Sequence, residues 1–302
     1  MVRKVYREEK GYSLVTVALL LMFVVVPLLA LVVDIGYAYV QQQRMQNAAD
    51  AAALAGTRAL HLEGAARAQE VAADYARRNG AKEVLVTVDP EAKTVRVKAK
   101  TDFPTFVADI LGIETLAADN RAAAIHGAIA EMREGVYPIA VDWPDLGFMF
   151  GDEYDIYVGV QPGNFGWLSW DGSMSEGYLA ACLNDPTKSR EYINPDTGQN
   201  EALSIGKWVW GRPGIANSIS VRDALDNLKG NAITIVVWDQ VRAAGSDAQY
   251  RIAGFAKFIL TDYRLPGQNR ISGKFVKWVD PTSLITPDPN ADFGLHGVKL
   301  TE

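Results

Sequence analysis

The stretch DIGYAYVQQQRMQNAADAAALAG, residues 34–56, follows directly on a charge-free apolar run, LVTVALLLMFVVVPLLALVV at 14–33. Small or apolar side chains recur at Ile35, Ala38, Met45, Ala49, Ala52, Ala53, Gly56 and Leu60, about one per turn on one face of a helix. Alanine has the highest helix propensity, and no proline occurs between 28 and 89. The pattern therefore predicts that the apolar run and this segment form one continuous rod. A face of alanine and glycine covers little apolar area, but it lets two backbones approach closely. Such a rod suits packing against other helices, or holding a domain away from a bilayer.

The apolar run is of membrane length: the 20 uncharged residues 14–33, within an expected span of 13–33, cover roughly 30 Å at about 1.5 Å each. A secretory signal core is shorter, about 7–15 residues. Arg3, Lys4, Arg7 and Lys10 precede the run, against Glu8 and Glu9, so residues 1–12 read as a basic cytoplasmic leader and 34–302 as extracytoplasmic. Pro27 removes a backbone donor and predicts a kink, which a helix packed among others tolerates more readily than an isolated one. We expect Pro27, Asp34, Gly36, Ala49, Ala52, Ala53 and Gly56 to be the residues of membrane and helix packing. Gly64 is the expected break, with a second helix closing at Gly80, so that 34–80 forms a helical rod.

Beyond the rod the texture changes twice. EVLVTVDPEAKTVRVKAKT, 83–101, alternates as a hairpin with one buried face. DFPTFVADILG, 102–112, reads as a short helix capped by Asp102 and closed by Gly112, and ETLAADNRAAAIHGA, 114–128, returns as a strand of small residues. This predicts a small α+β unit over 81–132. From 133 to 302, short aromatic strands alternate with Gly/Pro punctuation, which predicts a mostly β sandwich or small barrel. Two short helices, near 174–183 and 219–229, and a polar excursion at Leu183–Leu203 interrupt it. All seven tryptophans lie in this part, as does nearly all of the net charge of −6. The fold class expected is α+β: a transmembrane helix extended into a long pilin-like helix, a small α/β layer, then a mostly β domain.

Several chemistries find no support. An acidic chain offers no field for nucleic acid. One cysteine, Cys182, allows neither an internal disulfide nor a thiolate metal cage, and reads as a small buried hydrophobe. His61, His126 and His296 sit in dissimilar contexts and give it no evident partner. Asp152, Glu153 and Asp155, and the string Asp171-Gly-Ser-Met-Ser-Glu176, offer oxygens for calcium without the spacing of a calcium loop. There is no nucleophile elbow, His-x-x-x-His pair or phosphate loop. No catalytic residue, cofactor, metal or small-molecule substrate is therefore expected. Paired carboxylates leave an anchored hydrolase as one alternative, and sugar stacking on exposed aromatics leaves a surface adhesin as another.

The N-terminal residues also carry a resemblance. A basic stretch with Gly11, the Asp-x-Gly at the end of the apolar run, Tyr39, Arg44 and above all QNAADAAALAG at 46–56 resemble the N-terminal module of TadE/TadG-type proteins of the Tad (Flp) pilus system. The resemblance implies a bacterial inner-membrane subunit of pilus assembly, single-pass, whose partners are other pilus and envelope subunits met through the first helix. Some members carry a von Willebrand A-type domain with a metal site. The Asp-x-Ser-x-Ser spacing occurs once here, at Asp171, Ser173 and Ser175, but one short string does not establish that domain, and its metal is not carried over. Type IV pilin precursors are cut after a glycine preceding the apolar span, and their fifth mature residue is glutamate. Here the fifth residue after Gly11 is Thr16, so the Gly11–Tyr12 bond is expected to stay intact.

Overall fold

A computed structural model describes residues 10–142, 149–157, 166–212, 214, 216–265, 268–280 and 284–301. Residues 1–9 of the expected 1–12 leader, and Trp143, lie outside the described residues. The rod is present. Helix α1 (Lys10–Glu63) is a single 54-residue helix with Pro27 inside it, about 80 Å long. Gly64, at φ 95°, breaks it, and α2 (Ala65–Arg78) folds back along its C-terminal part. The expected span at 13–33 falls partly on residues whose side chains, at 11–14, 26, 29 and 30, lie outside those described. Among the described residues, no helix is long and apolar enough to cross a membrane.

The hairpin forms in the expected place, from β1 (Glu83–Asp89) and β2 (Thr94–Pro104), with Val84, Val86 and Val88 opposite Ala99, Val97 and Val95. Alternation decides the register, because a slip of one residue would turn the buried valines to solvent. Then β3 (Thr115–Met132) pairs with β2 along its whole first part. Asp102 does not cap a helix. It belongs to β2, and only a short 3-10 turn, Ala108–Leu111, follows, closed by Gly112 at φ 83°.

The rest of the chain comprises β4 (Val136–Asp142), β5 (Glu153–Tyr157), β6 (Leu168–Ser169), α3 (Glu176–Asn184), β7 (Leu203–Ser204), β8 (Trp208–Gly211) and α4 (Ile219–Leu228). After these come β9 (Ala232–Arg242), β10 (Gln249–Arg264), β11 (Arg270–Val276), β12 (Trp278–Asp280), β13 (Leu284–Thr286) and β14 (Leu295–Leu300). One sheet runs β4-β9-β10-β11-β5, with β8 on β10 and β6 on β8, and α3 and α4 pack into its core beside Phe258 and Phe275. The other runs β1-β2-β3-β14-β12, with β7 and β13 also on β3. The two sheets therefore do not divide at residue 133, because the end of the chain returns to the first one. Edge positions on long β3 stay open until β13 and β14 arrive to pair its backbone groups, a long-range pairing that no local pattern announces.

The segment 183–203 is exposed in part, notably at 196–200, but it is anchored by buried residues. Tyr192 is fully buried, with its hydroxyl donating to the Trp208 carbonyl at 2.6 Å, and Ser189 is buried with it. Its polar side chains serve one another: Glu201 accepts from Asn194, Thr197 and Lys207.

Candidate functional site

Helix α1 is held to the sheet along one stripe. At its upper end, Asp34 Oδ1 accepts from the Phe106 backbone N–H at 2.8 Å, and Oδ2 accepts from Val107 at 2.9 Å and Ala108 at 2.8 Å. The carboxylate thus caps the 3-10 turn from another element, which is the role the sequence suggested for Asp102. The Ala108 and Phe106 bonds lead in holding its carboxyl below the usual range. Tyr37, one turn on, meets Phe103 and Phe106 edge to face, with ring centres 5.3 and 5.5 Å apart.

Further down, Ala49, Ala52 and Ala53 are wholly buried, in one core with Ala68, Ala72 and Ala76 of α2 and Val95, Val97, Ala122 and Ala124 of the sheet. The small-residue face expected to meet partner helices is filled from within the same chain. Gly56 marks the closest approach: a Cβ there would lie 2.8 Å from Ala72 Cβ and 3.2 Å from the Ala68 carbonyl. Gly36 has nothing within 4 Å of a Cβ, and Pro27 is exposed. The backbone of Gly11 and Tyr12 lies within α1.

The same stripe ends in a feature that sequence reasoning missed. Ala53, Thr57 and His61 follow at four-residue spacing and so share a face. Thr57 donates to the Ala124 carbonyl of β3 at 3.1 Å, which sets His61 over the next residues of that strand. In the β3–β14 register, His296 pairs with Ala128 and His126 with Val298, so the two histidines are diagonal neighbours on one face of the sheet. All three histidines of the chain thus converge, with one ring nitrogen from each lying within 4.8 Å of the others. The expectation of dissimilar contexts is corrected: 65 and 170 residues of intervening chain hid the contact. A local hint existed, since His61 continues the buried alanine stripe.

Hydrogen bonding places a proton on Nε2 of two of the rings. His61 Nε2 lies 3.1 Å from the Gly294 carbonyl, which only accepts, so that nitrogen carries the proton. Gly294 adopts φ 81° in the turn that presents this carbonyl. His296 Nε2 lies 2.7 Å from Asp292 Oδ1. Burial pushes the Asp292 carboxyl up, but bonds from His296, the Gly294 N–H and Lys93 outweigh it and hold the group ionised. His296 therefore donates through Nε2, and its Nδ1 faces His126 Nδ1 at 2.7 Å. One of these two Nδ1 atoms donates to the other. Burial first, then the neighbouring His296, pushes His61 down to about 4 and His126 to about 3, so both rings are neutral at pH 7. His61 also stacks on His296, with ring centres 3.8 Å apart.

The remaining candidates resolve into local structure. Asp155 pairs with Arg270 at 2.9 Å and accepts from Ser272, and Glu153 accepts from Thr261. Asp171 accepts from the Ser173 N–H, while Glu176 accepts from the backbone of Asn217 and Ser218. Cys182 is buried, which pushes its thiol up to about 12. Trp167 and Trp170 are wholly buried, whereas Trp278 is 42% exposed beside Lys257.

Residues 11–74 match the family described as "Putative Flp pilus-assembly TadE/G-like". This N-terminal segment is of the TadE/TadG type. The matched segment covers α1 and most of α2, including the Asp34 clamp, the alanine face, Gly56 and His61. His126, His296 and both sheets lie outside the TadE/G-like segment. Among the curated proteins and the solved structures compared with the chain, none matches.

Proposed function

We propose that this TadE/TadG-type protein is a membrane-anchored structural or assembly subunit of a Tad (Flp) pilus, held by α1 in the bacterial inner membrane with its bulk outside. The carrying observation is that the pilus-assembly match coincides with the helix whose apolar run has no cover. Leu20, Met22, Phe23, Leu28 and Val32 are each more than half exposed. Leaving so much contiguous apolar surface in water is costly, at about 25 cal/mol per Å². The exposure continues around the clamp: Ile35, Phe106 and Ile113 are all exposed near residue 34, as expected of side chains at a lipid–water boundary. Basic residues before the run favour a cytoplasmic N-terminus. A pilus-assembly family points to a structural role rather than to catalysis.

Because the alanine face of α1 is already filled, the surfaces left for envelope and pilus partners on that helix are the uncovered apolar run, with Pro27 and Gly36. Protease added to opened periplasm should digest the folded part beyond Asp34, while the intact cytoplasmic side stays protected. Extraction of the chain from membranes by carbonate, or protection of the C-terminal sheets in the protease assay, would overturn the anchor and its orientation.

A further inference from the structure

We propose that His61, His126 and His296 form a binding site for one divalent transition-metal ion, zinc in the first instance, which fastens the long helix to the end of the chain. Three observations support it. The three rings come from three separate elements, α1, β3 and β14, and bring one nitrogen each within 4.8 Å. Two of the rings are oriented by acceptors of the kind that stand behind metal-bound histidines, a carboxylate at His296 and a backbone carbonyl at His61. Asp292 is itself fixed by Lys93 at 3.2 Å. Finally, His61 is only partly buried, so the cluster is reachable from solvent on the helix side.

The ligand set selects the ion. Neutral imidazoles without thiolate suit zinc, copper, nickel or cobalt rather than calcium or magnesium. Three protein nitrogens leave a fourth tetrahedral position for water. The metal-free geometry states what loading requires. Tetrahedral ligands at about 2.0–2.1 Å from zinc stand roughly 3.3 Å apart, so His126 and His296 must separate from 2.7 Å. The proton shared between the two Nδ1 atoms must leave that contact so that both nitrogens present lone pairs to the ion. A metal lies in the plane of each imidazole that binds it, so His61 must also turn out of its stack on His296. The consequence is mechanical. The clip would tie α1 to β3 and to β14, which follows it by more than two hundred residues, and so resist peeling of the helix from the sheet under pull.

The test uses the full-length chain in detergent, purified without a polyhistidine tag and stripped with chelator. Cobalt(II) at pH 7.5 should give one equivalent per chain with visible bands of a nitrogen-bound ion, bleached by zinc. His61→Ala and His126→Gln should each weaken binding by more than about tenfold, and Asp292→Ala by about 10–100-fold without changing the stoichiometry. Zinc should raise the melting temperature of the wild type but not of His61→Ala. Should His126→Gln fail to fold, His61→Ala decides, because its side chain is partly exposed. Absence of stoichiometric cobalt binding by folded wild type, or binding unaltered in His61→Ala, overturns the site.

Discussion

Adding one methyl group at each of two glycines of α1 separates helix propensity from packing. Glycine to alanine in a helix interior stabilises by about 1 kcal/mol when the new methyl group meets nothing. Gly36→Ala fits that case, with no atom within 4 Å of the added Cβ. At Gly56 the same Cβ would stand 2.8 Å from Ala72 Cβ, 3.1 Å from Val95 Cγ1 and 3.2 Å from the Ala68 carbonyl. Optimal carbon separations are about 3.5–4.0 Å, and two of these three contacts are with α2, so that helix must move outward. Overpacking of this kind costs about 1–3 kcal/mol. The propensity gain is common to both variants, so the difference between them isolates the packing cost: Gly56→Ala should be less stable than Gly36→Ala by about 1–3 kcal/mol. Denaturant unfolding of both full-length variants in the same detergent, followed by far-UV circular dichroism at matched m-values, measures it. Equal stability, or a more stable Gly56→Ala, would refute the close approach of α1 and α2.

Ala52→Leu keeps helix propensity but inserts a branched side chain into a wholly buried site; melting should fall by several degrees, and unchanged melting would mean that this face is open. Asp34→Ala removes the acceptor of three backbone donors, so amide exchange at Phe106, Val107 and Ala108 should rise well above wild type while the β1–β2 hairpin stays protected. His61 and His126 titrate at about 4 and 3 in the fold, below an unfolded value near 6.5. On acidification the unfolded chain takes up these protons first. Stability in metal-free buffer is therefore full above about pH 6.5 and declines as pH falls toward 4, by at most about 1.4 kcal/mol per pH unit for each ring. Lys93, Lys277, Asp292 and His296 face the same cluster, and Asp292, held low, adds to the loss only below about pH 4. A double variant with Gln at 61 and 126 should flatten the profile between pH 4 and 6.5; an unchanged slope would place the titration elsewhere. Mass spectrometry of the native protein should find the Gly11–Tyr12 bond intact, and a mature N-terminus at Tyr12 would instead indicate processing as a pilin.

The sequence by itself determined those features whose cause lies within a few residues. A run of alanine without proline carries the long helix on beyond residue 33, Gly64 at positive φ ends it, and strict alternation of valines makes the β1–β2 hairpin. The TadE/G-like segment was legible for the same reason, because QNAADAAALAG is one continuous string. Tertiary structure alone decided what those features meet. The alanine stripe could serve a partner or its own chain equally well, and only the return of α2 and the sheet filled it. Asp102 was the cap its sequence position suggested, and only the fold, by placing the 3-10 turn against α1, gave that role to Asp34. The histidines depended on the β3–β14 register and on one helical turn at Thr57, contacts spanning up to 235 residues. Periodicity reports which face of an element is apolar, but it carries no information about which distant element will cover that face.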